Sequence, residues 1–427
     1  MHELFEKYAL KPSNILLPSN SDLNKWAVVA CDQYTSDLEY WADVEAITKG
    51  CPSTLNLIYP EVYLEREDNT ARIDQINKNM NDYMANNIFT EYKDCFILVE
   101  RTTSSGTRYG LMAALDLEHY DYSTDSKSLI RATEGTILSR IPPRKEIRKN
   151  SPLELPHIMV LINDAKRSII EPLVKVKNER TCIYDVKLMK DGGTLKGYLI
   201  DSKEDLDSIL LGMEGLYSAL NPENPILYAM GDGNHSLATA KSCYQDIKEG
   251  LSEAERKNHK ARYALVELEN IFDPALLFEA IHRVFFTNDL ERMLTEVKKH
   301  MNILKQVEVA SLDELNALID SGDDACFGLL DKNKYSMYYV ENITASTSAG
   351  TFQHIIDTNE DIVVDYIHGT DVVEKLAKED NIGIILPNIS KETFFHTIEQ
   401  DSSFPRKTFS IGHAEEKRFY MEARKIK

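Results

Sequence analysis

The chain has 427 residues, of which 43% are hydrophobic and 28% charged, a balance that can bury a large globular core and a length that suits more than one. Its 69 acidic against 49 basic residues leave a formal net charge of -20, which argues against a long nucleic-acid groove but leaves room for one basic pocket. Six scattered cysteines without a Cys-x-x-Cys pair argue against zinc and against a disulfide framework. No apolar stretch approaches the roughly 20 residues that span a bilayer, and Met1 to Lys11 lacks a signal-peptide core. The expectation is a soluble, cytoplasmic protein with no nucleic-acid or membrane partner.

Lys25 to Ala30 reads as a strand, followed by the polar loop Cys31 to Ser36. Open α/β sheets often carry ligands just past a strand end, so Asp32 is a candidate for binding substrate. A helix N-cap or a plain turn is its other reading. Trp41, Val44 and Ile47 share a helix face, as do Ile73, Ile76, Met80 and Met84 between Asp68 and Phe89. The methionines are core fillers there. Cys95 to Glu100 and Thr107 to Leu115 predict two strands, joined by a hairpin at Thr102 to Gly106.

Arg131 to Asn150 concentrates positive charge in an acidic chain. Pro142 and Pro143 suit the start of a short helix that places Arg144 and Arg148 on one face. With Arg131 and Arg140 they offer planar, two-toothed hydrogen bonds to phosphate or carboxylate, or else pair with surface acids. Glu134, beside Thr136, is a general base toward a substrate hydroxyl or the counter-charge of these arginines.

Ile158 to Ile162 is a further strand, and Arg180 to Leu188 with Leu195 to Ile200 a hairpin across Asp191 to Gly193. Ser202 opens a helix through Leu206, Ile209, Met213 and Leu216. The next stretch is the centre of the reading. Ile226 to Met230 has the length of a buried strand, Gly231 and Gly233 bracket Asp232 in a tight turn, and helical spacing then runs to Gly250. A strand, a glycine turn and a helix start aim backbone N–H groups at one point, where the helix dipole favours an anion. Asn234 and Ser236 would line that anion, with Lys241 further along the helix. Asp232 and His235 stand in the turn as a metal ligand and a proton donor.

Arg262 to Glu269 is another strand, and a lobe boundary near Thr287 separates residues 1–286 from a smaller α+β lobe, 287–427. Just before it, His282 and Arg283 stand in an apolar setting as an interior pair or a functional one. Helices are expected over Glu291 to His300 and Ser311 to Ile319, and one through Leu376 capped by Thr370 or Asp371. Phe404 to Ser410 forms a last polar island, or a charged strand edge.

The run Gly231-Asp-Gly-Asn-His-Ser-Leu-Ala-Thr-Ala240 resembles the Asp-Gly-His-His-Arg-x-x-Ala signature of the family called domain of unknown function 1015. That signature is similar to the phosphate-binding turn of the ParB/sulfiredoxin-like superfamily, which includes free-serine kinases. Here Asn234 stands for the first His and Ser236 for the Arg, and a hydroxyl does not replace a bidentate guanidinium. The resemblance runs from about Leu16 to the C-terminus. It implies functional roles for Glu134, Thr136, Arg144, Arg148, the His282-Arg283 pair and the closing Arg406-Lys407-Thr408, the last two as phosphate contacts. It also implies a mixed α/β fold: mixed sheets with flanking helices around a ParB/sulfiredoxin-like strand-turn-helix core.

The function expected is a Mg²⁺- and nucleotide-dependent (ATP or ADP) phosphotransferase acting on a small hydroxylated metabolite such as free serine. Asp232 would hold the metal, and Glu134, Asp232, His235 and His282 would serve catalysis. A nucleotide- or metabolite-binding sensor and a phosphatase for a small phosphorylated metabolite are the alternatives. A homo-oligomer is compatible with the sequence.

Overall fold

A computed structural model describes residues 2–64, 69–123, 125–322, 325–359 and 361–427, and it is a mixed α/β protein. Two compact units divide the chain: 1–132, 136–276 and 412–427 in the first, 133–135 and 277–411 in the second. The boundary thus falls at Leu276/Leu277 and not at 286/287. Phe278–Ala280 pairs with Phe409–Ile411, and His282–Phe285 lies inside the second unit's sheet, so these residues cannot close the first.

Eleven strands form the first unit's sheet among the described residues. Tyr263–Asn270 lies at its centre, parallel to Met159–Ile162 and antiparallel to Gly106–Asp116. Every residue of that strand is buried, because both faces of the sheet are covered. Ala264, Val266 and Leu268 point into one core with Leu237, Ala238 and Tyr244 of the helix Asn234–Glu249. Leu265 points into the other, with Trp26, Trp41, Ile76, Met80 and Met421. Period-two alternation over two apolar cores leaves the strand no room to slip register.

Most predicted elements form, with two corrections. Lys25 to Ala30 is not a strand. Leu23–Trp26 is a helical turn capped by Asp22, and only Val29 makes a lone bridge, to Phe419. The indole N–H of buried Trp26 donates to the Met421 carbonyl at 3.0 Å, which holds the turn against the C-terminal segment. The cap of Thr370–Ala377 is Gly369, at φ 83°, while the Thr370 hydroxyl accepts from Asn316 at 3.0 Å. Asp68, where the helical pattern begins, lies outside the described residues; the helix itself is Asn69–Ala85.

The second unit is a six-stranded antiparallel sheet with helices on both faces. Leu290–His300 and Ser348–Thr358 cover one face through Met293, Val297, Phe352 and Ile355. Leu312–Asp320 and Thr370–Ala377 cover the other through Leu315, Ile319, Val373 and Ala377. Among the described residues no helix is long and apolar enough to cross a membrane.

Candidate functional site

The strand, turn and helix form where the sequence places them. Tyr228–Asp232 is a strand, and its pairing with Met159–Ile162 skips Gly231 in a bulge. Gly233, at φ 80° and ψ 28°, then starts the helix Asn234–Glu249 in the left-handed region that glycine alone occupies cheaply. The first helical bond runs from Leu237 N–H to the Gly233 carbonyl at 3.0 Å. Asn234 and Ser236 occupy this first turn, both half-buried. Its N–H groups have no intrahelical acceptor and carry the positive end of the helix dipole.

Asp232 is tied down on both oxygens. Oδ1 accepts the Gly233 N–H at 2.8 Å and Oδ2 lies 3.2 Å from the Lys417 ammonium. Burial pushes its carboxyl up, but Lys417 and then His157 outweigh that and hold it below the usual carboxylate range. His157 in turn has Nε2 at 3.7 Å from Asp32 Oδ2 and Nδ1 at 2.8 Å from the Tyr420 hydroxyl. That hydroxyl also accepts the Cys31 N–H at 3.2 Å, which ties the His157 ring to the Cys31 loop. Asp32 is not a helix cap, a role taken by Asp37. Its Oδ1 accepts from Gln33 at 3.1 Å.

His235 approaches the same place from the helix. Burial, then the charges of Arg144 and Arg140, push it down to about 4, against a smaller opposite pull from Asp32. It is therefore neutral at pH 7, and its Nε2 accepts the Ile137 N–H at 3.3 Å. A neutral imidazole with its proton on Nδ1 is a hydrogen-bond donor and not the cationic acid its sequence position suggests. The neighbouring Thr136 hydroxyl is buried with no partner among the described residues. An orphaned buried donor beside a helix N-terminus and two guanidinium groups is suited to an oxyanion.

The arginines divide. Arg144, in the helix Ile141–Arg148, donates to Glu61 and to the Arg140 carbonyl, the latter at 2.9 Å, and Arg140 is exposed. Arg148 pairs instead with buried Glu154, which also takes Arg424 at 2.6 Å, and so helps build the core. Arg131 is buried, with Nη2 on the Asn224 side chain at 2.6 Å and the Pro225 carbonyl at 2.9 Å, and it braces the loop leading into the strand Tyr228–Asp232. Lys241 donates to the Leu117 carbonyl at 2.7 Å, away from the turn.

Glu134, His282, Arg283, Lys407 and Thr408 belong to the second unit. Glu134 bridges to Phe404. Buried Thr408 gives its hydroxyl proton to the Pro405 carbonyl at 2.7 Å, and Lys407 has φ 60°. Burial, then Arg283 and His368, push His282 down to about 4, and its Nδ1 accepts the Leu386 N–H at 3.2 Å.

Three residues at the first unit's site were not singled out from the sequence: His157, Lys417 and Tyr420. His157 carried a signal, a histidine after Pro156 at the entry to a buried strand. Lys417 sits in Glu415-Glu416-Lys417-Arg418 and reads as a solvated charge run.

No curated protein matches the chain. Among solved structures it is similar to a free serine kinase in complex with AMP, at 11% identity and a TM-score of 0.36, covering 74% of this chain and 91% of that one. It is also similar to SbnI with a C-terminal truncation from Staphylococcus aureus, at 7% identity, a TM-score of 0.36, and 70% and 82% coverage. A conserved hypothetical protein from Pyrococcus furiosus follows at 11% identity, a TM-score of 0.33, and 73% and 90% coverage. The model of the family described as "Protein of unknown function (DUF1015)" matches residues 10–363, and the chain belongs to that family.

Proposed function

We propose that the first unit binds a nucleotide at the Gly231–Ser236 turn and transfers its terminal phosphoryl group to a small hydroxylated metabolite, with serine or a related hydroxy-acid as the first candidate. One observation carries this reading. The turn joins a helix N-terminus, the unpartnered Thr136 hydroxyl and the Arg140–Arg144 charge to two carboxylates, Asp32 and Asp232, that share His157.

The roles follow from that arrangement. Gly231 and Gly233 let the turn pack on Met159, Leu161 and Ile158, and the first-turn N–H groups and Thr136 donate to the phosphate oxygens. Arg140 and Arg144 supply the positive charge that Ser236 does not. Asp32 accepts the proton of the attacking hydroxyl as the new P–O bond forms and the nucleotide departs, while His157, with Nε2 3.7 Å away, orients it. Lys417 keeps Asp232 ionised. The two carboxylates are hard oxygen donors of the kind Mg²⁺ takes one or two of, completing its shell with water and substrate phosphates. Mg²⁺ would there neutralise phosphate charge.

Anion binding without transfer is the competing reading, and the engagement of Asp232 by Lys417 and Gly233 favours it. A thermal-shift titration with ATP, ADP and CTP, with and without Mg²⁺, is the first test. A Mg²⁺-dependent rise that is lost in Asp232→Asn, followed by phosphorylation of serine or another small alcohol, supports the kinase. A nucleotide shift with no transfer to any alcohol leaves the sensor, and no shift at all removes both nucleotide readings. Phosphate release from phosphoserine without a nucleotide would instead identify a phosphatase.

A further inference from the structure

The second unit buries a guanidinium without an acid to balance it. Arg283, on the strand His282–Phe285, is fully buried. Among the described residues it makes no ion pair with a carboxylate. Burial pushes it down to about 10, and Tyr366, whose ring lies 4.4 Å from the guanidinium carbon, is the one group pulling the other way. His282 beside it is neutral at pH 7. An uncompensated buried cation is costly, and burying it beside an unmade hydrogen bond adds to the cost.

Its donors are satisfied unevenly. Nη1 donates to the Ile281 carbonyl at 2.6 Å and to the His282 carbonyl at 3.3 Å. Nη2 has only a long contact, 3.4 Å, to Gln353 Oε1, and Nε has no partner among the described residues. Nε–H and Nη2–H point the same way along one edge of the planar group. That edge grips a carboxylate or phosphate by two parallel bonds, and it is the edge left unsatisfied here. Gln353 Oε1 occupies part of it while also accepting the Tyr366 hydroxyl at 3.1 Å. The Gln353 side chain is anchored through Nε2 to Asp357 at 3.0 Å. Tyr366 is half-buried on Val364–Ile367, the edge strand of the sheet.

We propose that the Nε/Nη2 edge of Arg283 is a binding site for the oxyanion group, carboxylate or phosphoryl, of a small metabolite. The anion takes two guanidinium hydrogen bonds in place of Gln353 Oε1, and the Tyr366 hydroxyl supplies a third donor. The ligand neutralises the buried charge, so binding stabilises the second unit. This site does not depend on the phosphotransfer reading, whose residues lie in the first unit.

The test uses the full chain, with succinate and inorganic phosphate as separate probes. The readout is the Nε–H resonance of Arg283, assigned by its loss in Arg283→Lys. The expected result is a saturable shift of that resonance with at least one probe, and a Tm rise of about 5 °C when that probe is present at roughly 100 times its dissociation constant. A response to succinate alone makes the ligand a carboxylate, and a response to phosphate alone makes it a phosphoryl compound. Gln353→Glu places a carboxylate on the same edge. It is expected to keep the resonance and abolish the response to both probes. A resonance that neither probe moves at tens of millimolar overturns the proposal, as does a Gln353→Glu protein that responds as the parent does. Gln353→Glu gives the guanidinium a charge partner but replaces the Nε2 bond to Asp357 with a second carboxylate, so its response to the probes, not its Tm, keeps the test decisive if Arg283→Lys fails to fold.

Discussion

The Lys417 ammonium lies 3.2 Å from Asp232 Oδ2, so the closing segment of the chain supplies the counter-charge of the glycine turn. With Lys417 13% and Asp232 26% exposed, the pair is screened by water only in part. Lys417→Met removes the strongest force lowering the Asp232 carboxyl. The Asp232 pKa, followed by carboxyl NMR, is expected to rise in that variant. A carboxyl held below its ordinary 3.8 contributes stability that is present above that value and lost as pH falls through its folded pKa. The parent should therefore keep this contribution to lower pH than Lys417→Met. Identical acid-unfolding profiles would mean the pair is not formed in solution.

His235 shifts in the same direction, but there the fold favours the neutral form. Its folded pKa of about 4 lies below its ordinary 6.5, so the folded state prefers the neutral ring. The stability from that preference is complete above 6.5 and is lost progressively as pH falls from there to about 4. His235→Gln keeps an acceptor for the Ile137 N–H but cannot titrate. Between those pH values its Tm is expected to fall less steeply than the parent's. An anion in the turn would offset the Arg144 and Arg140 charges and raise the His235 pKa, which imidazole NMR reads with phosphate or ADP added.

The turn itself was legible because its signal is local. Apolar run, glycines and helical spacing follow one another within Ile226 to Gly250, and each has one conformation that satisfies it. The arginine segment was legible as a helix but not in its pairing. Arg144 faces the site and Arg148 a buried Glu154, a distinction made by the fold around them and not by their spacing of four. Lys25 to Ala30 misled because Trp26, Val28 and Val29 are apolar and β-prone, while the contact that decides their path, Trp26 to Met421, spans almost the whole sequence. His157, Lys417 and Tyr420 stayed hidden for the same reason, since each acquires its role from a partner far away in the chain.

Gly233 carries a requirement that can be isolated. Its φ of 80° costs a residue with a Cβ about 1–2 kcal/mol, and a Cβ built there would stand 3.1 Å from Ile158 Cγ1. Gly233→Ala is expected to lower stability by about 2 kcal/mol in chemical denaturation. Gly135→Ala is the control, because a Cβ there meets nothing within 4 Å. A Gly233→Ala protein as stable as that control would refute the left-handed turn.

Tyr420→Phe separates positioning from packing. The ring stays, but the Cys31 N–H loses its 3.2 Å acceptor and His157 Nδ1 loses its 2.8 Å partner. Leaving a buried N–H unsatisfied costs about 1–3 kcal/mol, and a loss of that size is expected in denaturant unfolding. The second effect is on His157. If the phenol donates to Nδ1 in the parent, its loss leaves the ring free to carry its own proton there and present Nε2 as an acceptor to Asp32 and Asp232. Two carboxylates then face a lone pair where they faced an N–H, and the carboxyl pKa of Asp232 should rise. The measurement is the tautomer itself, read from the two ring-nitrogen shifts of His157. Nε2–H in the parent and a shift toward Nδ1–H in Tyr420→Phe is the expected pair of results. An unchanged tautomer would show that His157 is oriented by the carboxylates alone, and that the C-terminal segment contributes Lys417 and no more.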